Sequence, residues 1–490
     1  MAADITLINL NLLYVRYGET VDRERHVPLG CLYLTRALEE AGYTVDFRDY
    51  QCHETDDPFD LETFLGFARD PAPVIGLSCM ANLLPFTILA SRALKERYPD
   101  RTIVLGGVGA TAVEEPILQR FSWIDVIVRG EGEVTTPALL RALARGDLAA
   151  VDGISYRVNG RVHHTPRRAR IRDLDAILLP AFDKVDLRQY KGYGMMTSRG
   201  CPYPCTFCSV APIWNHESYS RSAESILEEM RILNQEAGVD LFLFQDEYFV
   251  SGKRQVLAFC ETLARSGLDA RWKAFGRVNL TDEDVMHAMA DSGCVELRFG
   301  VESGSDEILS VIQKGFTAEQ VLDLVPKAIE IMPRVDLFYM WGFPFETMDD
   351  FYQTLFQMLS FQAMGARILP SLLSLLPQTE IYAQLPPGTE LEYCPYLFPD
   401  FVLTGHEVLH GSLVELPNRH RAYFDLIQAN PDIFPGFFHV DVEGNVLPKL
   451  DLLCEFGFYQ FPEEGSTESC GAHSPRVAAQ GAAQELATRG

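Results

Sequence analysis

A chain of 490 residues, 47% of them hydrophobic, is long enough to bury two or three domain cores and has the composition of an ordinary globular protein. Its 68 acidic residues outnumber 42 basic ones, and the resulting formal charge of −26 repels phosphate backbones and anionic lipid, so neither nucleic acid nor a membrane is expected as a partner. The opening MAADITLINLNLLYV has no basic n-region and only a short, polar-interrupted apolar run, which points to a cytoplasmic protein.

Short apolar runs bounded by turn residues predict strands at 5–10, 44–49, 74–78, 102–107 and 125–130. Helical stretches lie between them, such as LGCLYLTRALEEAG, where Leu29, Tyr33 and Leu38 share a face and Gly42 is the stop. The alternation over residues 1–150 predicts a doubly wound, flavodoxin- or Rossmann-like parallel sheet, with ligands at the carboxyl ends of its strands. GISYRVNGRVHH then reads as a hairpin around Asn159-Gly160, and residues 151–190 as hairpin plus a Pro- and Arg-containing linker. A second alternation over 191–382 places strands near 193–198, 241–246, 271–278, 294–301, 334–341 and 367–376. Six β/α units predict an open, partial (β/α)6 TIM barrel. Residues 383–490 form a C-terminal extension, aromatic and proline-rich at first, with a small-residue, aromatic-free stretch from about 463 that predicts a disordered tail.

Eleven cysteines without a secretory signal do not suggest a disulfide scaffold, and Cys31, Cys79, Cys260, Cys294 and Cys454, in apolar surroundings, read as small buried hydrophobes. The segment SRGCPYPCTFCS is different: Cys201, Cys205 and Cys208 are spaced C-x3-C-x2-C directly after the first strand of the second domain, where barrel enzymes build their sites. A structural zinc ion would need a fourth ligand, with His216 the nearest histidine, and three thiols in a Gly- and Pro-containing loop make a poor core. The remaining reading is an iron–sulfur cluster with one iron left open.

C-x3-C-x2-C with an aromatic, Phe207, before the last cysteine resembles the radical S-adenosylmethionine (SAM) superfamily. The resemblance implies a [4Fe-4S] cluster on the three cysteines, an open iron that chelates the amino and carboxylate groups of SAM, and reductive cleavage to a 5′-deoxyadenosyl radical. Further segments agree in order. Asp246 and Glu247 in FLFQDEYF resemble the acidic strand-end motif for the SAM amino group, Arg277 in FGRVNL would meet the SAM carboxylate, and Glu302 in RFGVESGS would bind ribose hydroxyls or form a structural salt bridge. WGFPFET and LLPQTEIY resemble the later signatures of such domains. Tyr193, Tyr203, Tyr219 and Tyr248 fall near strand ends, with packing as the default role.

In the first domain, HVPLGCLYLTRALEEAGYTVDFRDY, GLSCMANLLP, VLGGVGATAVEEP and VIVRGEGE together look like the cobalamin-binding domain that precedes many radical SAM domains. Gly106, Gly107 and Gly109 would let the backbone approach such a ligand closely. The D-x-H-x-x-G pattern of histidine-ligated cobalamin is absent, because ERHVPL carries Glu24 and places glycine one position late, which argues against His26 as a cobalt ligand. The resemblance thus leaves two readings for an enzyme acting on a small molecule of natural-product type. One is cobalamin-dependent methyl transfer to an unactivated carbon; the other drops cobalamin and eliminates water from, or rearranges, a sugar or aminosugar diol. Both need an electron donor, such as flavodoxin, ferredoxin or a dedicated reductase. A non-catalytic iron–sulfur electron-transfer module would leave the SAM-site motifs unexplained. The acidic surplus permits a cationic substrate, although a solvated acidic surface is the ordinary explanation.

Overall fold

The computed structural model describes residues 3–17, 20–191, 193–394 and 420–459. The expected tail from about 463 lies outside them.

Strand β1 (Ile5–Asn9) is followed by a hairpin of β2 (Leu13–Tyr17) and β3 (Thr20–Glu24), helix α1 (Leu29–Glu40), β4 (Val45–Asp49), α2 (Leu61–Phe67), β5 (Val74–Ser78) and α3 (Leu84–Arg97). Then come β6 (Thr102–Gly106), α4 (Val108–Thr111), α5 (Glu114–Arg120), β7 (Val126–Val128) and α6 (Gly132–Arg145). The strands lie in the order β4-β1-β5-β6-β7, all parallel, which is the flavodoxin-like winding. Every residue of β1 is buried, as expected for a strand covered on both faces by helices. Because β1 has neighbours whose connections leave on opposite sides, a crevice opens beyond its carboxyl end.

The hairpin of β8 (Ile154–Val158) and β9 (Arg161–His164) turns through Asn159 and Gly160, both at positive φ as its two-residue turn requires. It does not stand apart as a linker: β8 pairs antiparallel with β7, with Val126 opposite Tyr156. The first sheet therefore runs to His164, past the boundary expected at 150, and the linker begins at Thr165.

The second unit comprises β10 (Tyr193–Met195), β11 (Ser198–Arg199), α7 (Val210–Ile213), β12 (Tyr219–Ser220), α8 (Ala223–Ala237), β13 (Leu241–Phe244) and α9 (Lys253–Ser266). It continues with β14 (Arg271–Gly276), α10 (Glu283–Asp291), β15 (Cys294–Glu302), α11 (Asp306–Val311), α12 (Ala318–Ile331), β16 (Val335–Trp341), α13 (Met348–Met364) and β17 (Arg367–Leu372). Six parallel strands run β10-β13-β14-β15-β16-β17 with both outer strands as edges, the open partial barrel expected. Trp272, fully buried, anchors its core by stacking on Phe244 at 5.2 Å and meeting Phe259 edge-on at 5.4 Å.

The C-terminal segment joins both units. Helix Arg421–Gln428 packs on α3 and, with Phe434, Phe437 and Phe438, completes the first core. Helix Leu447–Glu455 packs on α13, where buried Lys449 pairs with Glu346 at 2.7 Å. Cys31, Cys79, Cys260 and Cys294 are buried as expected, whereas Cys454 is only half-buried.

Candidate active site at the strand ends of two sheets

Both sheets present the carboxyl ends of their strands to each other across one cavity of about 350 Å³. Ser78, Gly106, Gly107 and the run Gly130–Glu133 line it from the first sheet; Met196, Ser198, Arg199, Gln245 and Glu247 line it from the barrel.

The cysteine loop leaves the barrel at this edge. Gly200, just before Cys201, sits at φ +94°, and a Cβ there would lie 2.2 Å from the Glu217 carbonyl oxygen, so the turn into the loop needs glycine. Thr206 N donates to Ile312 O at 3.1 Å, and Ile381 N, within the LLPQTEIY segment, donates to Thr206 O at 2.9 Å, pinning the loop between two neighbours. All three cysteines are half-buried. Burial raises the Cys201 thiol, and pushes Cys208 up to about 11, so iron must displace protons to bind. Among the described residues no three His, Cys, Asp or Glu side chains converge on one point as a single ion needs. Three separate thiolates fit a cluster, in which each holds a different iron. Two cations stand beside the loop: Arg277 Nη1 lies 4.0 Å from Cys205 Sγ, and Lys314 Nζ lies 5.6 Å from the centre of the Phe207 ring.

The acidic pair divides its work. Asp246 is buried and accepts from Thr197 N at 2.7 Å, Ser198 N at 2.6 Å and the Thr197 hydroxyl. Burial raises its carboxyl to about 7 against these donors. These bonds fix the strand end before the cysteine loop. Glu247 lines the cavity, accepting from Trp214 Nε1 at 3.1 Å and Gly200 N at 3.2 Å. Arg277 covers the Tyr203 ring at 3.7 Å, bonds Lys314 O, and keeps a buried Nε without a partner. Glu302, at φ +71°, pairs with buried Lys314 at 2.8 Å, so the salt-bridge alternative for this residue is the one observed. Tyr203 and Tyr248 pack edge to face at 5.7 Å. Tyr193 is buried in the barrel core, and Tyr219 lies under Arg170.

In the first domain the three glycines differ. A Cβ at Gly107 would meet Cys79 O at 2.5 Å, and one at Gly109 would meet Met80 O at 2.7 Å, so these two serve contact between the chain's own loops. Gly106 alone faces open space, with nothing within 4 Å, and lines the cavity. Opposite it, Ser198 Oγ is buried with no partner, an orphaned polar atom on the cavity wall that a bound ligand would satisfy. His26 pairs with Glu24 at 2.9 Å and takes no part in the cavity wall.

Sequence reasoning missed the clamp between the domains. Glu131, 5% exposed, accepts from Arg199 Nη1 at 2.9 Å, Arg170 Nε at 3.2 Å and Ile171 N at 2.8 Å, while Arg199 Nη2 also reaches Glu133 at 2.5 Å. Arg170 stacks on Trp214 at 4.3 Å. The GEGE run was visible as a ligand-site signal, but its arginine partners were not.

Residues 195–358 match the Radical SAM superfamily model and residues 20–140 the B12 binding domain model. An uncharacterized methyltransferase of Pyrococcus horikoshii is 32% identical over 339 residues, which cover 67% of this chain and 72% of that protein. The chain belongs to the radical SAM superfamily. It is a radical SAM protein of the kind that carries an N-terminal B12-binding domain, with a [4Fe-4S] cluster and SAM as the family's cofactors. An anaerobic magnesium-protoporphyrin IX monomethyl ester cyclase of Synechocystis is 30% identical over 318 residues, 63% of each chain. The radical SAM methyltransferase TsrM of Kitasatospora setae, solved with cobalamin and a [4Fe-4S] cluster bound, shares the fold with a TM-score of 0.63 at 18% identity, over 80% of this chain and 77% of that one. No helix among the described residues is long and apolar enough to cross a membrane.

Proposed function

We propose that this radical SAM protein is a cobalamin-dependent methyltransferase that acts on an unactivated carbon of a small molecule. The observation that carries the reading is the single cavity shared by the strand ends of the B12-binding sheet and the barrel, with Gly106 on one wall and Ser198 and Glu247 on the other. Cys201, Cys205 and Cys208 would hold the cluster, and the cavity beyond β1, β5 and β6 would hold the corrinoid. When bound, the cluster supplies the electron that cleaves SAM, and the corrinoid supplies the methyl group.

The chain's own residues do the rest. Glu247 and Arg277 offer an anion and a cation near the cysteine loop, of opposite sign to the amino and carboxylate groups of SAM. Burial raises the Glu247 carboxyl, so an arriving ammonium group would restore its charge. The Glu131–Arg199 clamp holds the cavity's two walls at fixed separation, so that two bound groups meet without a diffusive search. An exogenous one-electron donor such as flavodoxin or ferredoxin completes the system.

The test is product analysis with cluster-loaded, corrinoid-loaded protein, SAM and a reductant. Methyl transfer should yield S-adenosylhomocysteine together with 5′-deoxyadenosine. Protein that takes up no corrinoid and forms 5′-deoxyadenosine alone would overturn the methyl-transfer reading in favour of cobalamin-free elimination or rearrangement.

A further inference from the structure

The linker contains the run PRRARIR, 166–172, a concentration of arginine in a chain of net charge −26. It lies against a second, smaller cavity of about 40 Å³, enough for one compact group, between the end of β7, the linker and α7. Arg129, Arg167, Arg168 and Arg170 line it, against Glu114 and Glu131. Glu131 is already consumed by Arg170 and Arg199. Among the described residues Arg129, Arg167 and Arg168 have no carboxylate partner: Arg129 bonds the carbonyls of Ile154 and Thr165, Arg167 bonds the Asn215 side chain, and Arg168 bonds Thr135 Oγ1 and Asp152 O. Arg129 Nε is buried with no acceptor at all.

Three guanidinium groups that hydrogen-bond only neutral oxygens, against the one remaining carboxylate of Glu114, which attracts Arg129, leave a local excess of positive charge, and an unpaired buried N–H adds a donor waiting for an acceptor. Oxyanions match both, since Arg binds carboxylate and phosphate through charge-assisted, often bidentate, hydrogen bonds. Gly130, Glu131 and Trp214 line this cavity and the large one alike, so a group held here is one residue's width from the site of reaction.

We propose that this pocket binds an oxyanion substituent of the substrate, a phosphate, phosphonate or carboxylate, and so positions the remainder of the molecule at the wall of the large cavity. The proposal rests on the reading above for the word substrate, but its site is tested without catalysis. The acidic surplus of the whole chain does not oppose this, because it is a surface average and the pocket is what meets the ligand.

The experiment is calorimetric titration of inorganic phosphate into cluster-loaded, cobalamin-loaded protein, without SAM or reductant and at constant ionic strength. One saturable site per chain is expected, weakened about tenfold or more in both Arg129→Gln and Arg167→Gln, with iron and corrinoid content unchanged. Arg167 is exposed, so its variant reads the pocket even if Arg129→Gln fails to fold. Absence of saturable binding, or equal affinity in Arg167→Gln, would overturn the proposal. So would phosphate binding seen with cobinamide-loaded protein and lost with cobalamin, because the site would then belong to the corrinoid's own phosphodiester. Failure of methyl transfer with phosphate binding intact would count against the function alone.

Discussion

Gly106 and Gly107 are adjacent, yet the structure separates what each does. Valine at Gly106 would place its Cβ where no atom lies within 4 Å and extend its methyl groups into the cavity of about 350 Å³. The apo fold should be unaffected within about 0.5 kcal/mol, as for substitutions that touch no packed feature. Corrinoid binding should suffer the cost of overpacking, roughly 1–3 kcal/mol, or about a 5- to 150-fold rise in Kd. Alanine at Gly107 should do the reverse. Its backbone, at φ 92° and ψ 171°, is in a region essentially reserved for glycine, worth about 1–3 kcal/mol, and its Cβ would press on Cys79 O at 2.5 Å. That variant should lose stability with or without corrinoid. Absorption titration with hydroxocobalamin and urea unfolding of the apo protein separate the two effects. Wild-type corrinoid affinity in Gly106→Val, with the fold intact, would refute the placement of the ligand over this strand end.

Replacing Cys201, Cys205 and Cys208 together with alanine should abolish the roughly four irons per chain expected after anaerobic reconstitution; retained iron and sulfide in the triple variant would show another ligand set. Arg277→Gln should weaken SAM binding by about 1.5–3 kcal/mol, the worth of a charge-assisted hydrogen bond, measured by equilibrium dialysis on cluster-loaded protein; unchanged affinity would place the carboxylate elsewhere. Lys449→Met leaves the Glu346 carboxylate buried without its cation and should cost about 3–5 kcal/mol in unfolding, whereas the double variant with Glu346→Gln should recover most of it; a loss no smaller in the double variant would deny the pair that role. Burial lowers His439 to about 4, below its unfolded value near 6.5, so the unfolded chain binds the extra proton and stability falls as pH drops through that window, by on the order of 3 kcal/mol. His439→Phe should flatten that slope in acid unfolding, and an unchanged slope would assign acid lability to other groups.

What could be read in advance was what the chain writes locally. The parallel strands announce themselves because each is a short apolar run between turn residues, and the cysteine loop because its chemistry fits within eight contiguous positions. The Asn159-Gly160 turn was equally legible, but not the pairing of its hairpin with β7, which depends on a sheet edge that local sequence does not describe. Asp246 and Glu247 are neighbours of one charge; only the direction in which each side chain leaves the strand end decides that the first is spent on Thr197 and Ser198 while the second faces the cavity. The aromatic stretch near the C-terminus looked patternless because its phenylalanines serve the core of a domain more than three hundred residues earlier.

The same distance in sequence explains why the clamp matters. Arg199 stands two positions before Cys201, and Glu131 stands in the loop that leaves β7, so the pair ties the cysteine loop of one unit to a cavity-lining loop of the other. Both side chains are almost fully withdrawn from water, at 6% and 5% exposure. Removing either partner would strand a buried charge, at about 3–5 kcal/mol, whereas sliding the domains apart would need all of Arg170, Arg199, Glu131 and Glu133 to find new partners together. A surface salt bridge, worth about 0–1 kcal/mol, would not hold that register. The buried network therefore makes the separation between the two cavity walls a fixed property of the fold, and two groups bound on opposite walls would meet at a distance set by Glu131 and Arg199.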